Sequence, residues 1–125
     1  MEEVNSEFTI VVESDLDKYE LIDFLSQGIP DIIKVNLLYL RYENTMITIE
    51  RNYDCNPKLI NENDGWLYYK YELTVFSMEN TSYEYQYELA NKIMNALREA
   101  GYLAESILVI YRYLCNSIVA TIHAG

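Results

Sequence analysis

The amino-acid sequence predicts an α+β domain in which two helices pack on one face of a mainly antiparallel β-sheet. Short runs of β-branched and aromatic residues, separated by polar turns, predict the strands. Two segments repeat their apolar residues every three or four positions and predict the helices. A chain of 125 residues, half of them apolar, can bury one core, and no repeat or linker divides it. We therefore expect residues 1–125 to form a single domain.

The chain is predicted to begin with a strand and a helix. The β-branched run 8–12 indicates the strand, and residues 14–17 offer side chains that can cap the first turn of the helix. This helix is predicted to run to about Gln27, because Gly28 and Pro30 then interrupt the helical pattern.

A hairpin and a third strand are predicted in the middle of the chain. Segment 32–42 is rich in Ile, Val, Leu and Tyr, and segment 46–51 alternates apolar with polar residues, which together predict an antiparallel hairpin. A polar loop is expected over residues 52–65, and a strand over 66–76. The loop is long enough to carry function.

The second helix has the clearest pattern. Residues 81–84 have the form of a capping box, apolar residues at helical spacing follow as far as Ala100, and Gly101 stands where a left-handed residue ends a helix. Beyond it, segments 106–114 and 118–122 are rich in strand-forming residues, although the final stretch is also compatible with a helix. The expected order is β-α-β-β-β-α-β, with room for one more strand.

The chain is strongly acidic. Twenty acidic residues against nine basic ones give a formal net charge of −11, and residues 1–50 alone contain eleven acids and three bases. This charge repels phosphate backbones and anionic lipid surfaces, so we expect neither nucleic acid nor a membrane as partner. A cationic protein would be attracted instead. The alternative is that the charge only keeps the protein soluble, and the free chain is expected to be a monomer or a weak dimer.

Residue patterns that indicate catalysis are missing from the sequence. It contains no glycine-rich phosphate loop, nucleophile elbow or HExxH motif. Cys55 and Cys115 lack the spacing of a metal site, and the single histidine, His123, lies next to the end of the chain, where rigid placement is rare. We therefore expect neither catalysis nor a metal or cofactor. A pocket lined by two or more acids with raised pKa values would favour an enzyme instead.

The sequence predicts a cytoplasmic protein with reduced thiols. Its first residues, Met1-Glu2-Glu3, are acidic where a secretory signal has a basic region. It contains no apolar run of about 18 residues, the length that crosses a membrane.

Tyrosine is unusually abundant, with thirteen residues in the chain. Several lie in segment 66–71 beside Trp66, and others lie in segment 83–87 at the start of the second helix. Tyrosine and tryptophan anchor protein interfaces because they combine a large contact area with a polar atom. Successive strand residues point to opposite faces, so one member of each adjacent tyrosine pair is expected to face outward. The alternative is that the rings pack between sheet and helices.

Three segments carry a resemblance to a known class of proteins: Ile47–Asp54, Asn63–Tyr71, and the helix Glu88–Gly101. In these strand, turn and helix features the chain resembles small bacterial immunity proteins of polymorphic and contact-dependent toxin systems. The resemblance covers roughly residues 46–102. It implies a cytosolic antidote that docks on a cognate toxin domain and occludes the active site of that toxin.

A toxin that cuts nucleic acid has a basic cleft, which an acidic, aromatic inhibitor would match in charge. The segment 54–72 is therefore the predicted partner-binding site. Its charge partners are predicted to be Asp54, Glu62, Asp64 and Glu72. The predicted aromatic anchors are Trp66, Tyr69 and Tyr71.

Two other functions fit the same sequence. The chain could be a phage-encoded inhibitor of a host nuclease or defence complex, with the acidic front segment imitating nucleic acid. It could also be a self-assembling subunit whose tyrosine-rich strand pairs edge to edge with another copy.

Overall fold

The computed structural model describes residues 3, 4, 7–79 and 81–107, and it confirms the predicted α+β class with a six-stranded antiparallel sheet. In chain order the strands are β1 (Glu3–Val4), β2 (Glu7–Glu13), β3 (Ile32–Lys34), β4 (Tyr39–Tyr42), β5 (Thr45–Arg51), β6 (Tyr71–Ser77), β7 (Thr81–Ser82) and β8 (Leu103–Ser106). The helices are α1 (Lys18–Gly28) and α2 (Tyr83–Glu99). The sheet has the order β3-β4-β5-β6-β2-β8, and β1 pairs separately with β7.

The core lies on one face of this sheet. Alternate residues of neighbouring strands stand opposite one another, as in the row Ile49, Leu73 and Ile10, and all three are almost completely buried. Period-two alternation places such residues on one side, where the helices cover them. The helix residues that complete this core are Leu21, Ile22, Leu25, Leu89, Ala90, Ile93, Met94 and Leu97. Both helices therefore pack on the same face, as predicted.

Both helices begin with a side-chain cap, close to the predicted positions. Asp17 accepts from the backbone N–H of Glu20 at 2.8 Å, and the Glu20 carboxylate accepts from the N–H of Asp17 at 2.9 Å. This reciprocal pair satisfies two backbone donors of the first turn of α1. For α2 the cap is Ser82, one residue later than the start of the predicted box, with its hydroxyl accepting from the N–H of Tyr85 at 3.1 Å.

The end of α2 confirms the role predicted for Gly101. This residue has φ of 93°, in the left-handed region that favours glycine. Its N–H donates to Arg98 O at 3.0 Å, and the N–H of Tyr102 donates to Leu97 O at 3.0 Å. These two bonds form a Schellman motif, which satisfies carbonyl groups of the last turn. The ring of Tyr102 then packs edge-on against Phe24 of α1, with centroids 5.7 Å apart.

Two predicted boundaries were wrong. Segment 32–42 contains two strands, because Asn36 folds residues 35–38 into a turn by accepting from the N–H groups of Leu38 and Tyr39. Segment 66–76 starts with the 3-10 helix Gly65–Tyr68, and extended structure begins only at Tyr71. Local hydrogen bonds of a polar side chain and a short helical turn outweigh strand propensity in these places.

The last predicted strands fall mostly outside the described part of the chain. Strand β8 begins at Leu103, three residues earlier than predicted, and pairs with β2. Residues 108–125, which include Cys115, segment 118–122 and His123, lie outside the described residues. Among the described helices, none is long and apolar enough to cross a bilayer.

Strand order also bears on the predicted edge-to-edge assembly. Self-assembly was predicted through the tyrosine-rich strand at residues 66–76. The part of this segment that is extended, β6, contains one tyrosine, Tyr71, and lies inside the sheet between β5 and β2. Both of its sides are occupied by neighbouring strands, so it has no free edge to offer another chain. The prediction of assembly through this strand was therefore wrong.

Candidate partner-binding surface

The connection between β5 and β6, residues 52–70, forms a structured loop, which we call the clamped loop. Its backbone folds through successive turns in which an N–H donates to the carbonyl three residues earlier, for example Leu59 to Asn56 and Glu62 to Leu59. The N–H of Asn56 also donates to Tyr68 O at 3.0 Å, which joins the outgoing and returning halves of the loop. Internal backbone bonds of this kind give a long loop a defined shape.

Asn52 closes the base of the clamped loop. Its side chain is buried, and Nδ2 donates to the carbonyls of Leu67, at 3.0 Å, and Tyr69, at 2.7 Å. Its Oδ1 accepts from the N–H of Asp54 at 3.0 Å. The backbone N–H of Asn52 donates to Lys70 O at 2.8 Å. One asparagine therefore fixes both ends of the loop and uses both donors of its amide.

Gly65 provides the second constraint on the loop. A Cβ atom at this position would stand 1.9 Å from the carbonyl oxygen of Ile60 and 2.4 Å from its carbon. Real Cβ atoms do not approach a backbone this closely, so only glycine fits where the chain passes Ile60. The turn before the 3-10 helix consequently depends on this residue.

Arg51 connects β5 to the first turn of the clamped loop. Its Nε and Nη2 atoms both lie 3.4 Å from Sγ of Cys55. The hydrogen bond with the Cys55 sulfur raises the pKa of the Arg51 guanidinium. The Arg51 guanidinium is therefore hydrogen-bonded within the clamped loop.

Among the described residues, Tyr53 is the most exposed of the large hydrophobic side chains, with 96% of its surface accessible to solvent. It stands between Asn52, which closes the loop, and Asp54, whose N–H is held by the Asn52 side chain. The fixed backbone therefore presents a free aromatic ring beside an exposed carboxylate. Sequence reasoning did not select Tyr53 as an anchor, although an aromatic residue within a polar loop, outside any apolar periodicity, was the available signal.

Two of the predicted anchors, Tyr69 and Tyr71, are buried. Tyr71 is 4% exposed, faces the helices from β6, and donates its hydroxyl to Leu16 O at 2.7 Å. Tyr69 is 7% exposed; burial raises the pKa of its hydroxyl, and the nearby Glu105 carboxylate raises it further. Neither ring can meet a partner in the folded chain, so their prediction as interface anchors was wrong. For Tyr71 the cause is register, which turns alternate residues of β6 toward the core. Tyr69 lies before β6, directly after the 3-10 helix of the clamped loop.

The other predicted site residues are distributed over two surfaces. Asp54, Glu62 and Asp64 are exposed on the clamped loop, and the half-buried Trp66 lies in its 3-10 helix with Nε1 buried and unpartnered. Glu72 lies on β6, on the side of the sheet that faces away from the helices. Among the described residues, no three His, Cys, Asp or Glu side chains are close enough to hold a metal ion.

The side of the sheet that faces away from the helices forms a second surface, which we call the open sheet face. One cross-strand row on it consists of Ile33, Arg41, Met46, Phe76 and the exposed Glu7 from β3, β4, β5, β6 and β2. The next row contains Tyr39, Thr48, Thr74 and Thr9. In the third row Glu50 of β5 stands directly opposite Glu72 of β6. The face therefore exposes large apolar side chains toward one end. Toward the end that carries the clamped loop it has the two acids, and Val11 of β2, which pairs with Glu72, is buried.

A cavity of about 260 Å³ adjoins the apolar end of the open sheet face. It is lined by Val35, Tyr39, Arg41, Glu43, Asn44, Thr45, Met46 and Met78. Glu43 is its single carboxylate and accepts from the hydroxyl of Tyr85 at 2.9 Å. Burial raises the pKa of this tyrosine, and the hydrogen bond to Glu43 contributes in the same direction.

The fold and the two surfaces define the chain as an acidic α+β domain with a structured loop and one side of its sheet uncovered by helices. No protein-family model matches the chain, and no curated protein or solved structure matches it. The resemblance to immunity proteins therefore rests on the sequence segments that carry it.

Proposed function

We propose that this protein is an immunity protein that binds a cognate toxin domain in the cytoplasm, a basic nuclease, and blocks its active site with the clamped loop. The observation that carries the proposal is Tyr53, a ring that is 96% exposed on a loop closed by Asn52. An aromatic anchor on a fixed backbone loses little conformational entropy on binding. The contact area of the ring then contributes to the binding free energy, as it does for the central aromatic residues of tight interfaces.

Charge supports a cationic partner. Asp54, Glu62 and Asp64 are exposed on the clamped loop, and within residues 7–79 and 81–107 their carboxylates form no ion pair. The whole chain has a net charge of −11. A field of this kind accelerates association with a basic cleft and excludes nucleic acid from the interface. The phage-inhibitor alternative would use the same charge on a host nuclease.

The direct test is to recover the protein that copurifies with a tagged chain from its native cell, and then to express that protein with and without the chain. We expect the copurified protein to be toxic alone and harmless on coexpression. A partner that is not toxic, or toxicity that coexpression does not relieve, would refute an immunity function. A copurified host nuclease or defence protein would identify the chain as a phage inhibitor.

Replacing Tyr53 with alanine is expected to raise the Kd for the partner at least about 30-fold, which corresponds to a hot-spot loss of about 2 kcal/mol. The change should appear mainly in the dissociation rate, because the anchor acts after encounter. The control is Tyr19→Ala, which removes a 54% exposed tyrosine from α1. Surface plasmon resonance measures both variants, and equal affinities for the two would exclude Tyr53 as the anchor.

Reversing the charges of Asp54, Glu62 and Asp64 together is expected to reduce the association rate about tenfold or more at low salt and to flatten its dependence on ionic strength. Long-range attraction is screened by salt, so the variant and the wild type should converge as salt is added. Stopped-flow association at several salt concentrations gives the comparison. Lysine substitution of Glu84, Glu88 and Glu99, three exposed acids of α2, is the charge-matched control. If both triple variants associate alike, only net charge matters and the loop has no special role.

A further inference from the structure

Glu50 and Glu72 form a pair of like charges on the open sheet face, and no described cation neutralises them. They stand directly opposite each other on β5 and β6, and neither carboxylate forms an ion pair or hydrogen bond with any described residue. The neighbouring cations are engaged elsewhere: Arg51 with Cys55, and Lys70 with the ring of Tyr71, 5.1 Å from its centroid. Like charges directly opposite each other destabilise a sheet, and a bound cation would remove that repulsion.

The other end of the same face exposes apolar side chains. Ile33 is 48% exposed and Phe76 is 42% exposed, and Met46 lies between their strands in the same cross-strand row. Along β5, Met46 and Glu50 are four positions apart and point to the same side, which places them about 13 Å apart. The row between them contributes Thr48 and Thr74, whose side chains are short.

Arg41 makes the two ends of the open sheet face differ in charge. It lies in the apolar row beside Met46, is exposed, and has no ion pair with a described residue. A cation bound at the apolar row would meet Arg41 as well as Glu7, whereas Glu50 and Glu72 would both attract it. A ligand with one apolar and one basic side chain therefore has a single favoured orientation.

We infer that the open sheet face binds an extended segment of a basic protein, which presents an apolar side chain to Met46 and Phe76 and a lysine or arginine to Glu50 and Glu72. The inference deepens the proposed function and rests on it for the charge of the partner, but it assigns a surface outside the clamped loop. A second copy of the chain is a poorer occupant, because each copy has a net charge of −11 and the copies repel one another.

The probe for this surface is a capped, threonine-rich peptide with a phenylalanine and an arginine four residues apart, so that both side chains point to one side of an extended backbone. One control peptide replaces the arginine with glutamate, and the other replaces the phenylalanine with serine. Amide chemical shifts of the isotope-labelled full chain are followed during titration. We expect shifts on β5 and β6 around Met46, Glu50 and Glu72, and at least about fivefold weaker binding of both control peptides.

Matched variants of the chain separate the contributions. The double substitution of Glu50→Gln and Glu72→Gln should weaken the arginine peptide about three- to tenfold, because two exposed ion pairs are lost. Glu84→Gln with Glu88→Gln removes the same charge from α2 and should leave binding unchanged. Phe76→Thr, at an exposed strand position, should weaken peptide binding to a similar extent. Thermal unfolding establishes that each variant is folded.

Three results would overturn the inference: equal binding of the arginine and glutamate peptides, shifts confined to residues 53–67, or no saturable shift. A dimer that forms without peptide and dissociates in the Phe76→Thr variant would assign the face to a second copy instead. The peptide experiment is independent of the toxin test. A Tyr53→Ala chain should bind the peptide normally, so failure of one proposal does not imply failure of the other.

Discussion

Replacing Gly65 with alanine is expected to lower the free energy of unfolding by about 1–3 kcal/mol, the range found when an atom is forced into a packed site. The added Cβ would stand 1.9 Å from the carbonyl oxygen of Ile60. The obstacle is backbone, so no side-chain rotation can relieve the contact and the turn must shift. Urea unfolding followed by tryptophan fluorescence measures the loss, and Trp66 beside the mutated position reports it directly.

Gly28→Ala is the control for this experiment. Gly28 ends α1, and a Cβ there meets nothing within 4 Å. Alanine has higher helix propensity and restricts the unfolded chain, so this variant should be neutral or gain up to about 1 kcal/mol. If Gly65→Ala is as stable as Gly28→Ala, the close passage of the loop beside Ile60 does not exist in solution.

Replacing Asn52 with aspartate is expected to lower the free energy of unfolding by about 3 kcal/mol or more at neutral pH. The aspartate cannot donate to the carbonyls of Leu67 and Tyr69, and its charge would be buried against them. The pKa of this new carboxyl should be raised, because burial and the carbonyl oxygens both disfavour the ionised form. Its destabilisation should therefore shrink as pH falls toward about 4, where the unfolded chain also becomes protonated.

The control for this pH series is Asn61→Asp, which makes the same chemical change at an exposed loop residue without a side-chain hydrogen bond to any described residue. It should change stability by less than about 0.5 kcal/mol at every pH. The difference between each variant and the wild type, from urea unfolding at several pH values, isolates the effect of the buried carboxylate. A constant difference for Asn52→Asp across pH would contradict a buried clamp. Because the clamp positions Tyr53, Asn52→Asp should also weaken partner binding.

Much of the fold could be predicted because its signals are local. The reciprocal cap at Asp17 and Glu20, the left-handed Gly101, and the apolar periodicity of α2 each depend on residues within one or two turns of helix. The strand boundaries were harder. The turn made by Asn36 and the 3-10 helix at Gly65–Tyr68 replaced predicted strand residues, since strand propensity reflects the surrounding sheet more than the residue itself.

The candidate site was predicted only in part, for a related reason. Segment 54–72 does contain exposed acids, yet the proposed anchor, the exposed Tyr53, lies just before it, while Tyr69 and Tyr71 are buried. Pairing of Ile33, Met46 and Phe76 across three strand junctions created an apolar row that no single segment displays. Contacts between residues far apart in sequence decide which side of a strand is covered.

By itself, the sequence determined the α+β class, the two helices with their caps, and the acidic charge that favours a cationic partner. These features follow from composition and from patterns within short segments, and they do not depend on long-range contacts. Only the tertiary structure decided that Tyr53 remains in solvent while Tyr71 is buried, and which side of the sheet stays open. Both depend on β-sheet register and on the closure of the clamped loop by Asn52, and a register shift of one residue would reverse every assignment of side.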